Sequence, residues 1–231
     1  MDIWSLPVDV NRGKVIGELQ RLTQDAGRDY VPAVSADGKK IVFLSDRLGN
    51  LDIWIRDLGR KEETALTVTA SAEGSASISP DGSTVAYSTP EDQKRPIYTA
   101  STRGGPPEKV CEDCGRPCGW SSDGKRILYT HSTSRVSWLD LITGEKNPVL
   151  DHRTYGIYEP HFSPDNRWIT FIATITTRSH VYIVPARLGQ VLPESEWTAV
   201  TEGPSWNDSP RWSPDGKLLY FTSERDGFTC I

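Results

Sequence analysis

The chain has 231 residues, 36% of them hydrophobic, with eight Trp and eight Tyr, and its net charge of −5 comes from 26 basic and 31 acidic residues scattered along its length. Length and composition allow one large all-β domain built on many short half-buried strands. They exclude a nucleic-acid surface, which would need a basic stripe, and no apolar run approaches the ~18 residues of a membrane-spanning helix, so no membrane insertion by this segment is expected.

Taken in order, Met1 is followed at once by Asp2-Ile3-Trp4-Ser5-Leu6, which reads as mid-strand and lacks the charged and apolar regions of a signal peptide. The first complete unit has Pro32-Ala33-Val34-Ser35, a turn at Asp37-Gly38, an apolar strand Lys40 to Ser45, and Leu51 to Leu58 alternating with period two. Thr64 to Thr67 makes a fourth short strand. The turn recurs as Ser79-Pro80-Asp81-Gly82, Ser121-Ser122-Asp123-Gly124, Ser163-Pro164-Asp165-Asn166 and Ser213-Pro214-Asp215-Gly216. The aspartates are spaced by 44, 42, 42 and 50 residues, a period that signals a repeat architecture. Pro presets φ, Asp bonds the backbone two residues on, and Gly or Asn tolerates φ > 0, so each copy is a tight turn between strands. These aspartates are therefore expected to cap their own turns and not to form a catalytic ring. Four antiparallel strands in about 44 residues match one β-propeller blade.

The expected fold is thus all-β, a single propeller domain of about five four-stranded blades over 24–67, 68–111, 112–151, 152–201, and 202–231 joined with 1–23. The last blade would be closed by both chain ends, which removes exposed strand edges. Aligning Ser223 to Gly227 with Ser45 to Gly49 makes Ile231 and Ile3 compete for one position, so closure within one chain and completion between chains both remain open. Both ends read as cut, and the chain as a piece of a longer protein.

The pattern of Pro210-Arg211-Trp212-Ser213-Pro214-Asp215-Gly216-Lys217, and of Ser45-Asp46-Arg47-Leu48-Gly49-Asn50 through Trp54, resembles the TolB-like, WD40-like β-propeller repeat family across essentially the whole chain. Arg21 to Asp25, Lys109 to Pro117 and Asp226 to Ile231 look like propeller segments of large acidobacterial proteins, where a kinase or winged-helix module is often appended. That resemblance implies a bacterial sensor or interaction domain in an extracytoplasmic (periplasmic or surface) setting, acting with the remainder of its parent polypeptide.

Function is expected where the blades differ. The loops entering each first strand would ring one mouth of the central channel, and loops carry binding residues. The candidates are Arg28, Asp29, Tyr30, Glu73, Arg116, Tyr158, Glu159, Trp206, Asn207 and Asp208, a mixture suited to a protein, peptide or small polar ligand. Arg47 and Arg225 recur at matched positions and read as ties between neighbouring blades. Cys111, Cys114 and Cys118 leave three readings open: part of a zinc site, which wants a fourth ligand such as Cys230, His131 or His152; a local disulfide with one thiol left over; or inert thiols. No cofactor is expected. His131, His152, His161 and His180 lie in different units, and no hydrolase elbow, phosphate loop or zinc-protease motif occurs. The expected function is therefore a non-catalytic binding or sensing module. The alternatives are an accessory propeller of a prolyl-oligopeptidase-like hydrolase whose catalytic domain lies elsewhere, and, further off, a lyase or lactonase with a channel metal.

Overall fold

The computed structural model describes residues 1–9, 12–91, 94–187, 189–227 and 229. They form two compact units, Met1–Pro117 and Cys118–Ile231. The secondary structure is all β apart from one 3-10 turn at Glu194–Glu196, and no helix is long and apolar enough to cross a membrane.

The N-terminal unit opens with β1 (Trp4–Ser5), β2 (Val8–Asp9), β3 (Lys14–Val15) and β4 (Gln20–Arg21); β1 pairs with β4, and β2 with β3, as two small antiparallel ribbons. Two blades follow. The first contains β5 (Asp29–Val34), β6 (Lys40–Ser45), β7 (Asp52–Asp57) and β8 (Glu62–Ala65), and the second β9 (Gly74–Ile78), β10 (Thr84–Ser88), β11 (Ile97–Ser101) and β12 (Glu108–Cys111), each a four-stranded meander. Their facing sides bury Val42, Leu44, Ile53 and Ile55 against Ala76, Ile78, Val85, Tyr87 and Ala100. These are the alternate, β-branched-rich positions that the period-two pattern singles out.

In the C-terminal unit the same order recurs as β13 (Arg116–Trp120, begun in the last residues of the preceding unit), β14 (Arg126–Ser132), β15 (Arg135–Asp140) and β16 (Lys146–Asp151). The next blade has β17 (Gly156–Phe162), β18 (Trp168–Ile175), β19 (Arg178–Pro185) and β20 (Thr198–Ala199). The core of this unit gathers Leu128, Val136, Trp138, Ile157, Phe171 and Val184, and the insertion before β20 adds Leu192. A last pair, β21 (Asn207–Trp212) and β22 (Leu219–Ser223), forms a two-stranded sheet.

Four complete blades are therefore present among the described residues, against an expected five. The segments assigned to a fifth blade form three separate two-stranded sheets, β1–β4, β2–β3 and β21–β22. Repeat spacing counts turns, whereas a blade requires four strands hydrogen-bonded together. Cys230 and Ile231, on which the overlap of the two ends turned, lie outside the described residues.

The recurring turn works as its chemistry dictates. In each copy the serine Oγ donates to the aspartate Oδ1, at 2.7 Å for Ser35–Asp37 and 2.6 Å for Ser79–Asp81 and Ser121–Asp123. It also accepts the amide five residues on, as from Thr84 at 3.0 Å and Trp168 at 2.9 Å. Copies lean on one another within each unit. The Ala36 amide donates to the Pro80 carbonyl at 3.2 Å, and Asn166 holds Ser122 by two bonds of 2.8 and 2.7 Å. Asn166 is the one copy without glycine; it takes the left-handed conformation, and its amide makes a tie that glycine could not.

Candidate binding surface at the bulged first strands

Four residues before the turn serine, most first strands carry a bulge. Val31, Ser75, Glu159 and Ser209 have φ of 47°, 50°, 47° and 52°, and the strand register shifts around each of them. Pro32, Pro160 and Pro210 come next; a residue without an N–H fits where the ladder is already interrupted. In β13 the bulge position is Pro117 itself, whose ring fixes φ near −65°, and no positive φ appears in that strand. The bulge also explains why the first strands run further back than alternation suggests. Asp29, Tyr30, Tyr158, Glu159, Asn207 and Asp208, expected in loops, lie within β5, β17 and β21, because one left-handed residue breaks the two-residue period without ending the strand; Arg116, also expected in a loop, opens β13.

In the N-terminal unit, burial removes two of the expected ligand residues from the surface. Asp29 is 2% exposed and accepts from Arg47 Nη2 at 3.3 Å. Arg47 also pairs with Asp25, meets Glu63 at 2.7 Å, and lies over the Trp54 ring at 4.1 Å. Expected to tie neighbouring blades, it instead binds within its own blade and the segment leading into it. A Cβ at Gly27 would come within 2.8 Å of the Arg47 Cβ, so glycine is required for that close approach. Glu73, 3% exposed, accepts from Thr69 at 2.7 Å and Thr67 at 3.2 Å. Burial pushes its carboxyl above the ordinary value, and the nearby Asp52 charge acts in the same direction. Tyr30 packs against the core. Arg28 is exposed, donating to Asp46 from its backbone at 2.7 Å and its side chain at 3.2 Å. Asp25, Glu63, Asp52 and the two threonines escaped the sequence reading because only folding brings their polar atoms together.

The C-terminal unit keeps more of its candidates at the surface. Tyr158 and Trp206 remain 38% and 37% exposed. Glu159 pairs with Arg211 of β21 at 2.9 Å, a partner the sequence did not single out. Asn207, by contrast, is buried; its amide donates to the Ser179 and Ser205 carbonyls at 2.9 and 3.0 Å. It is a strand clamp, a correction to its expected ligand role. Asp208 accepts from the Ser209 amide at 2.8 Å. Behind this patch, His161 and Cys118 retain a sliver of accessible surface but are surrounded by enough protein to feel a low dielectric. Burial, helped by the Arg211 charge, holds His161 well below the ordinary imidazole value, and burial pushes the Cys118 thiol up to about 12. A neutral imidazole and a protonated thiol are not an activated nucleophile pair at neutral pH.

Cys111 and Cys114 form a disulfide, which decides among the three cysteine readings, while Cys118 is not disulfide-bonded. Their turn is docked by the Cys114 and Gly115 amides on the Arg95 carbonyl at 3.1 and 2.9 Å, and it leads into the exposed Arg116. Among the described residues no group of three or more His, Cys, Asp or Glu could hold a metal. Arg225 is exposed, beside Asp226 at 3.8 Å.

The sequence profile of the TolB beta propeller domain matches residues 116–231. A Sulfurisphaera tokodaii protein named as a putative Tricorn-like protease C-terminal subunit is 30% identical over 63% of this chain and 16% of its own length. Among solved structures, one titled as putative TolB from Agrobacterium tumefaciens superposes with a TM-score of 0.74 at 23% identity, over 89% of this chain and 73% of that one. An oligogalacturonate lyase from Vibrio parahaemolyticus gives 0.62 at 16% identity, over 96% and 66%. The chain spans 16% and 49% of the lengths of two curated relatives it matches, and the structural likenesses, at such identities, speak to the fold alone.

Proposed function

This chain belongs to the TolB β-propeller domain family, and on that premise we propose that it is a non-catalytic binding module that recognises a protein or peptide on its bulged first strands. The observations that carry this reading are the exposed Tyr158 on β17, the exposed Trp206 just before β21, and the Glu159–Arg211 pair that joins these two strands. They supply two aromatic anchors and a charged pair on or beside the first strands, the composition of interface hot spots. Panning a random-peptide phage library against the chain, then titrating the selected synthetic peptides by calorimetry, tests the proposal. Tyr158→Ser and Trp206→Ser are expected to weaken binding at least about tenfold with unchanged circular dichroism. Selected peptides whose affinity ignores both substitutions would refute it.

Two finer points belong to the same proposal. We take β1–β4 and β21–β22 as the halves of a fifth blade, since β1 repeats the Asp-Ile-Trp of β7 and β22 repeats β6 in sequence. An extracytoplasmic setting is supported by the Cys111–Cys114 disulfide, because such bonds persist in oxidising compartments. A second reading, an accessory propeller of a protease, is favoured by the Tricorn-like relative, of which this chain would be a minor part.

A further inference from the structure

In the N-terminal unit a wedge of about 630 Å³ opens between the β1–β4 ribbon and the outer strands of the first blade. Leu22 and Leu58 of its lining pack onto the buried Ile3, Ile41 and Phe43. One wall brings Gln20, Arg21 and Leu22, the other Arg56, Leu58, Lys61 and Glu63. Its carboxylates are already engaged. Glu63 takes Arg47 on one oxygen at 2.7 Å and Arg56 on the other at 2.5 Å. Asp25 takes the Gly27 amide at 2.8 Å and pairs with Arg47.

Its donors are not. Arg56 Nε is buried without a hydrogen-bond partner, and Arg21 commits only Nη2, to Asp2 at 2.7 Å. Among the described residues no hydrogen bond or ion pair holds the Lys61 ammonium, and the Gln20 and Gln24 side-chain amides offer both a donor and an acceptor. Lys61 is held outward at the β7–β8 turn in a left-handed conformation, its amide on the Asp57 carbonyl at 2.8 Å.

A wedge whose carboxylates are already paired and whose cations keep donors to spare selects a ligand that supplies anionic acceptors. Its cations come from both walls, which suits several spaced carboxylates better than one compact anion. The apolar Leu22 and Leu58, with free amides beside them, match side chains and backbone of an extended chain. We propose that this wedge binds an acidic peptide segment, with Arg21, Arg56 and Lys61 taking its carboxylates. The site is separate from the Tyr158–Trp206 patch and stands or falls independently of it.

Fluorescence anisotropy with a fluorescein-labelled hexapeptide of Glu, Asp and Leu, set beside its Gln/Asn/Leu counterpart, tests the assignment. Because the protein itself carries a charge of −5, non-specific attraction works against the acidic probe. Saturable binding of that probe is expected, weakened by salt and reduced at least about tenfold by Lys61→Glu combined with Arg21→Gln, while Tyr158→Ser leaves it unchanged. Both altered side chains are exposed, and circular dichroism checks their folding. Equal binding of the uncharged counterpart, no binding of the acidic probe, or indifference to the double substitution would overturn the proposal.

Discussion

At the scale of single residues, the turn aspartates hold their charge by local bonds. Asp37 is drawn down to about 2, first by the Ser35 hydroxyl and then by the Lys39 amide, and Asp81, Asp123, Asp165 and Asp215 shift the same way, each chiefly through its own serine. A carboxyl whose folded-state pKa is depressed contributes stability that is full above its unfolded value of 3.8 and is lost as pH falls through about 2. Removing the first cause removes that contribution. Ser35→Ala is therefore expected to destabilise the protein most above pH ~4, with the gap from wild type narrowing as pH falls toward ~2. Urea midpoints at several pH values check this, and a gap that widens in acid would contradict it. The Ser-x-Asp-Gly chemistry was legible from sequence because every bond in it lies within five residues.

The element-scale feature is the bulged first strand. It sets the reach of Glu159 and Tyr158 and the entry of β21 at Trp206, yet it falls on residues of no common type: Val31, Ser75, Glu159 and Ser209. Only the proline after three of them marks it in sequence. Val31 is the poorest fit, since a β-branched residue pays steric strain in the left-handed region, and its side chain is largely exposed. Val31→Gly is expected to stabilise the fold by about 1 kcal/mol. Val34→Gly, at an equally exposed position of the same strand without positive φ, is expected to destabilise it by about 0.5–1 kcal/mol. Thermal and urea unfolding of the pair measure both, and a loss at both positions would show that the bulge carries no strain. Arg47 works at this scale too. It joins Asp25, Asp29 and Glu63 from three segments, so its loss would leave the buried Asp29 without its cation, while Glu63 would keep Arg56.

For the molecule as a whole, the proposed fifth blade makes a hydrodynamic prediction. If its halves meet within one chain, light scattering should give the 25.7 kDa monomer mass at every concentration tested. A dimer that grows with concentration and disappears when residues 1–23 are deleted would mean that the halves pair between chains. What the sequence determined alone was the all-β class, the four-strand unit and the five turns, because these depend on hydrogen bonds and side-chain alternation among near neighbours. It also placed Tyr158, Glu159 and Trp206 among the residues to watch. Tertiary structure alone decided that Asp29, Glu73 and Asn207 are buried clamps, that Glu159 meets Arg211, that Cys111 closes on Cys114, and that Arg21 and Lys61 face one wedge. In each case the deciding quantity is burial or contact between strands, and a local pattern in the chain does not carry it: a carboxylate buried against an arginine and one awaiting a ligand have the same sequence.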